Sequence, residues 1–107
     1  MPPEKMLIRV KIHPNMEEFA RQFLENRKLE IPLMRACLQE GNFVELGRLA
    51  HNLKGNGASY GFPRLTELGA GLEADAIKKV TSDCARQIDF IEYYLVRTVI
   101  EVEAETH

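Results

Sequence analysis

Ala50-His51-Asn52-Leu53-Lys54-Gly55-Asn56-Gly57-Ala58-Ser59-Tyr60-Gly61 is the stretch from which the rest of the chain is read. Wound at 3.6 residues per turn, it places Leu46, Leu49, Ala50, Leu53, Gly57 and Tyr60 on one face. That face is the expected core face. His51 points almost the opposite way. Its outward neighbours are Gly47 a turn before, Lys54 and Gly55 a turn after, and Ala58 two turns after. One imidazole therefore stands in water, ringed by very small side chains, with one ammonium beside it. The arrangement is costly, because each glycine inside a helix is worse than alanine by roughly 1 kcal/mol. Gly47, Gly55 and Gly57 all fall inside the predicted helix. Small residues around an exposed histidine let another protein's backbone approach the ring, and a lysine three residues on can neutralise an anion there.

Composition sets the frame for this stretch. A chain of 107 residues holds one domain, and a hydrophobic fraction of 45% is enough for a core. A net charge of −2 offers no basic field for nucleic acid or an anionic membrane. No apolar run approaches the roughly 20 residues of a membrane span. Met1-Pro2-Pro3-Glu4-Lys5 lacks the apolar core of a signal peptide, so the cytoplasm is the expected compartment. Cys37 and Cys84 stand far apart with no CxxC spacing and read as reduced thiols in or near the core.

Working outward, Asn42 with Glu45 is an N-capping pair for the His51 helix, and Gly41 is a C-cap for what precedes it. The first helix is expected to open at Asn15, with Glu18 as its capping partner. Met16, Phe19, Ala20, Phe23 and Leu24 give its buried face, continued by Ile31, Met34 and Leu38. Pro32 removes a backbone donor and crowds the carbonyl of Lys28, so a kink or a split is expected at about residues 28–32. Pro63 opens the third helix, with Leu65, Leu68, Leu72 and Ala76 as its stripe. Gly69 and Gly71 hint at close packing there. Thr81 or Ser82 caps the fourth, and Cys84, Ile88, Ile91, Leu95, Val99 and Val102 recur at helical spacing. Only residues 6–13 alternate like an extended segment, a pattern equally suited to lying on the domain or to pairing with another chain. The short connections predict antiparallel neighbours. The expected fold is all-α: an up-down antiparallel four-helix bundle over residues 15–103, after an N-terminal arm (1–14) and before a frayed tail (104–107).

At residues 50–61 the chain resembles the histidine-containing phosphotransfer (HPt) domain of two-component phosphorelays. That signature is His-x-Leu-Lys-Gly, then small residues, then an apolar residue and glycine. His51, Leu53, Lys54, Gly55, Gly57, Ala58, Tyr60 and Gly61 match it, and Leu68, Leu72 and Glu73 fit the family's leucine-rich third helix. The one departure is Asn56-Gly57, where small hydroxyl residues are common. The resemblance covers about residues 15–102. It implies a four-helix bundle in which His51 takes a phosphoryl group from a receiver-domain aspartate, on its outer nitrogen, and passes it to another receiver. It implies no nucleotide site and no cofactor on this chain, with Mg²⁺ on the receiver.

Elementary chemistry runs in parallel. A free imidazole titrates at about pH 6.5 and offers an unprotonated nitrogen at pH 7. Attack on an acyl phosphate needs in-line geometry and charge neutralisation, with little acid–base help. Lys54 is the cation expected to supply charge. Gly47, Arg48, Asn52, Gly55 and Ala58 are the expected docking residues, joined by the exposed Asn56 and Arg64. The expected partners are receiver domains of response regulators or hybrid histidine kinases, met by a monomer. The chain is expected to be a phosphocarrier and not an enzyme. A histidine-dependent hydrolase would need a carboxylate near His51, and neither adjacent helical turn carries one. A degenerate adaptor that docks on receivers or kinases without phosphotransfer should have lost His51, Lys54 or Gly55, and all three are present.

Overall fold

The computed structural model describes residues 6–104. In chain order it contains β1 (Ile8–Ile12), a 3₁₀ turn (Pro14–Met16), α1 (Glu17–Glu40), α2 (Phe43–Asn56), a second 3₁₀ turn (Ala58–Tyr60), α3 (Pro63–Lys78), α4 (Thr81–Arg97) and β2 (Thr98–Val102). Four helices enclose a core of Leu46, Leu49, Ala50 and Leu53 from α2, Leu65, Leu68, Leu72 and Ala76 from α3, Cys84, Ile88, Ile91 and Leu95 from α4, and Ala20, Phe23, Leu24, Ile31 and Met34 from α1. Both cysteines are free and buried.

The expected all-α fold needs one correction, at the end of α4. The apolar spacing suggested a helix through Val102, but the helix stops at Arg97 and Thr98–Val102 form a strand. Thr98-Val99-Ile100 is a β-branched run, which loses side-chain freedom in a helix and suits a pleated ladder. Thr98 Oγ1 donates to the Tyr94 carbonyl at 2.6 Å, closing the helix end as the backbone turns extended. A strand also needs a partner, and the N-terminal arm supplies it. β1 and β2 pair in parallel, Ile8 with Thr98 through Ile12 with Val102. The bundle between them serves as the long crossover that parallel strands require. Ile12 is buried at the base of this ribbon. The Glu103 N–H still donates to the Ile12 carbonyl at 2.9 Å, so the chain stays tied down to that point. The expected fraying of the last residues falls mostly outside the described region.

Helix ends depart from expectation in smaller ways. α1 does not open with a capping box at Asn15. His13 Nδ1 instead accepts the Asn15 N–H at 3.1 Å, a 3₁₀ turn follows, and α1 begins at Glu17. Phe19, expected on the buried face, lies on the outer side of the first turn, 57% exposed, and not in the core. The helix is not split at Pro32, and runs unbroken from Glu17 to Glu40. An interior proline costs about 3 kcal/mol. Burial of Ile31, Met34 and Cys37 on the opposite face, at roughly 1.5–3 kcal/mol for each large side chain, offsets it. Gly41 then adopts φ 71° and closes α1, with the Gly41 and Asn42 N–H groups donating to the Leu38 and Cys37 carbonyls. Asn42 Oδ1 accepts the Glu45 N–H at 3.1 Å, while the Glu45 carboxylate turns to Arg48. Val80 precedes α4 with no side-chain cap, so neither Thr81 nor Ser82 plays that part.

The α2–α3 contact positions everything that follows. A methyl group on Gly69 would lie 2.5 Å from the Lys54 nitrogen and 2.9 Å from the Ala50 carbonyl oxygen. Gly57 meets the Thr66 backbone similarly, at 2.7 Å. The order of contacts, Gly57 by Thr66, Lys54 by Gly69 and Gly47 by Ala76, shows that these two helices are antiparallel.

Gly69→Ala therefore forces two backbones apart and should lower stability by about 1–3 kcal/mol in urea denaturation. Ile12→Ala should cost about 2–4 kcal/mol in the same assay, because the ribbon is anchored through that side chain.

Candidate functional site

His51 stands on α2 with 67% of its side chain exposed. Leu46, Leu49, Ala50 and Leu53 bury the opposite face of the helix, so the ring is presented outward. It is not alone there. Glu73 reaches across from α3, and the His51 Nδ1–Glu73 Oε2 distance is 2.7 Å. The second carboxylate oxygen accepts from Lys54 Nζ at 3.1 Å. Gly69, one turn before Glu73, lets the helices approach closely enough for both bonds.

The chemistry of this triplet follows from its donors. A carboxylate only accepts, so Nδ1 carries the proton and donates it to Glu73. Nε2 is left with its lone pair, on the open edge of the ring. Lys54 first, and His51 after it, hold the Glu73 carboxyl below its ordinary pKa by hydrogen bonding to the charged form. Lys54, expected as a cation aimed at phosphate, is thus engaged by Glu73, with 46% of its side chain still exposed.

The expected docking residues are partly gathered. Gly47, Arg48 and Gly55 share the outer side of α2 with His51. Arg48 is held by Glu45. Space around Gly55 is open, with nothing within 4 Å of a notional methyl group. At Gly47 such a group would meet only Ala76, at an ordinary 3.9 Å, so alanine would fit there. Ala58 lies beyond the helix, and its N–H donates to Thr66 Oγ1. Asn52 is exposed about 100° around the helix from His51, and its carbonyl accepts from Asn56. Asn56 lines a separate groove with Phe19, Phe23, Arg27 and Tyr60. Arg64 pairs with Glu67.

Two features escaped the sequence reading. In sequence Glu73 stands out only as part of a leucine-rich helix, because its partner lies 22 residues away. The carboxylate missing from the turns beside His51 arrives from α3, which corrects the premise used against a hydrolase. The second is an apolar groove lined by Phe43, Val44, Gly47, Ala76 and Ile77 that runs up to Glu73. Val44 is 86% and Ile77 75% exposed. Val44 lies two turns before His51, and Ile77 one turn after Glu73, so helical spacing alone carried that signal. Among the described residues no group of three or more His, Cys, Asp or Glu could hold a metal ion. No described helix is long and apolar enough to cross a membrane.

The fold and site define a four-helix protein that presents one carboxylate-oriented histidine to its surroundings. A family model of the Hpt domain matches residues 18–104, and the chain belongs to that family. Its members carry phosphoryl groups in two-component signalling and act with receiver domains and histidine kinases. Neither a curated protein nor a solved structure matches the chain significantly.

Because Glu73 has a lowered pKa in the folded protein, its bonds add stability above the unfolded value of about 4.3, and that stability is lost as pH falls through the lower, folded value. Urea midpoints of wild type and Glu73→Gln, measured from pH 7 downward, should differ at neutral pH and converge in acid. In ¹⁵N NMR the neutral His51 ring should show protonated Nδ1 in the wild type and lose that bias in Glu73→Ala.

Proposed function

We propose that His51 is the phosphorylated residue, accepting a phosphoryl group from a receiver-domain aspartate and passing it to another receiver. The observation that carries this is the orientation of the ring: Nδ1 is committed to Glu73 while Nε2 faces outward from a mostly exposed side chain. An attacking nitrogen with a free lone pair on an accessible edge is what in-line transfer from an acyl phosphate requires. The phosphorus–oxygen bond to the donor aspartate breaks and a phosphorus–Nε2 bond forms. Lys54 is a flexible ammonium within reach, and exchanging Glu73 Oε1 for a phosphoryl oxygen would offset the new charge.

Docking falls around the same ring. The open surface at Gly55 admits a partner's loops, and Gly47, Arg48, Asn52 and Ala58 border it. The groove at Val44 and Ile77 adds the apolar area that a specific contact needs. In this reading the chain is a cytoplasmic, monomeric carrier with no nucleotide site and no cofactor of its own, and Mg²⁺ resides on the receiver.

The test is transfer from radiolabelled, phosphorylated receiver domains to this protein beside His51→Gln. Acid-labile, base-stable label is expected on the wild type and none on the variant. A folded protein that binds a receiver and takes up no label from any donor would mean an adaptor instead. Lys54→Ala should slow transfer by about tenfold, in keeping with a lost charge-assisted contact of about 1.5 kcal/mol.

A further inference from the structure

The two edges of the His51 ring differ sharply in their surroundings. Nδ1 faces Glu73 Oε2 at 2.7 Å, and Glu73 has only 22% of its side chain exposed. The other oxygen of that carboxylate is tethered by Lys54 at 3.1 Å. Nε2 faces solvent. Adding a phosphoryl group at Nε2 therefore leaves the Nδ1–Glu73 bond intact. Resting on the carrier reading above, we infer that Glu73 keeps a proton on Nδ1 of the phosphorylated ring and thereby governs how fast the phosphoryl group leaves. Glu73 is on this view a positioning residue for phosphoryl release, acting through His51.

The balance of the step shows why the proton matters. In phospho-His51 one nitrogen bears phosphorus and the other a proton, so the ring is cationic. Release forms a bond from phosphorus to an oxygen of the acceptor, either an aspartate carboxylate or water, and breaks the phosphorus–Nε2 bond. The electron pair of that bond returns to Nε2. Nδ1 keeps its proton, and neutral imidazole leaves; where water is the acceptor, its proton passes to solvent. If Nδ1 were bare, the same cleavage would expel imidazolate, a far stronger base and a poorer leaving group. A carboxylate favours the cationic ring by charge and by hydrogen bond together, whereas an amide offers the hydrogen bond alone.

The charged groups around the ring are few. α3 presents Glu73. α2 itself presents Lys54 one turn on, already paired with Glu73, and Arg48 one turn back, already paired with Glu45. Lys54 donates to the second oxygen of the same carboxylate. Glu73 is thus the group on which the proton at Nδ1 depends.

The experiment uses the full chain phosphorylated chemically with phosphoramidate, so no receiver is needed. Loss of phosphohistidine is followed by ³¹P NMR from roughly pH 5 to 10 for wild type, Glu73→Gln and Glu73→Ala, with folding checked by circular dichroism. Near neutral pH the wild type should lose its phosphoryl group about fivefold faster than Glu73→Gln, the difference between a charged and a neutral hydrogen bond, and by a wider margin than Glu73→Ala, which offers no acceptor. The alkaline fall in rate should also move to lower pH in both variants, a change that a purely structural role would not produce. Coincident lifetimes and pH profiles in all three proteins would overturn the inference while leaving the carrier reading standing. A wild type that forms no phosphohistidine at His51 would overturn both.

Discussion

Gly69 has no side chain where α3 passes the backbone of Ala50 and Lys54, and that absence sets the distance between the two helices. Any Cβ there would press on main-chain atoms that cannot swing aside. At the resulting separation the Glu73 carboxylate spans the gap and meets two residues of α2 at once. A wider spacing would leave His51 as an ordinary solvated histidine, free to hold its proton on either nitrogen. The helix-breaking tendency of glycine is tolerated here because close packing returns more than local propensity loses.

The site is a compromise among three polar groups, His51, Lys54 and Glu73. Glu73 orients the ring but also occupies Lys54, the cation best placed to greet a phosphoryl group. Each interaction is exposed enough to be modest in energy, since ion pairs near water contribute little. Modest strength suits the role. A lysine locked by a buried carboxylate could not be redirected toward a transferring group, whereas this one can exchange partners as charge develops. The stiffness needed for transfer comes instead from the apolar face below, where Leu46, Leu49, Ala50 and Leu53 are almost wholly enclosed. Orientation is thus supplied by packing and adaptability by the polar surface.

The periphery shows tertiary context overriding local tendency. Pro32 sits within a continuous α1 because buried residues on both sides hold the helix together. Thr98–Val102 leave the helical path because a strand partner is available from the other end of the chain. The resulting two-stranded ribbon would be marginal alone. It persists because Ile12 is buried and Ile8, Val10 and Ile100 pack against the bundle. β1 and β2 are thereby secured to the same end of the domain.

Much of this was written in the chain. Periodicity in α2, α3 and most of α4 identified the core, since burial of one face imposes a repeat of 3.6 residues on the side chains that form it. Gly41, Asn42 and Pro63 marked helix ends through backbone chemistry that is local by nature. His51 stood out because its outward position among small residues follows from spacing within a single helix. Other features needed contacts between distant segments. The strand at Thr98–Val102 depends on β1, more than eighty residues earlier, and its apolar spacing fits a helix nearly as well. The Glu73 bond to His51 depends on the register and separation of two helices, which no single helix encodes. Local sequence determined which nitrogen-bearing side chain would be offered to solvent; tertiary packing decided which of its nitrogens would be free, because hydrogen bonds across helices form only where backbones can approach.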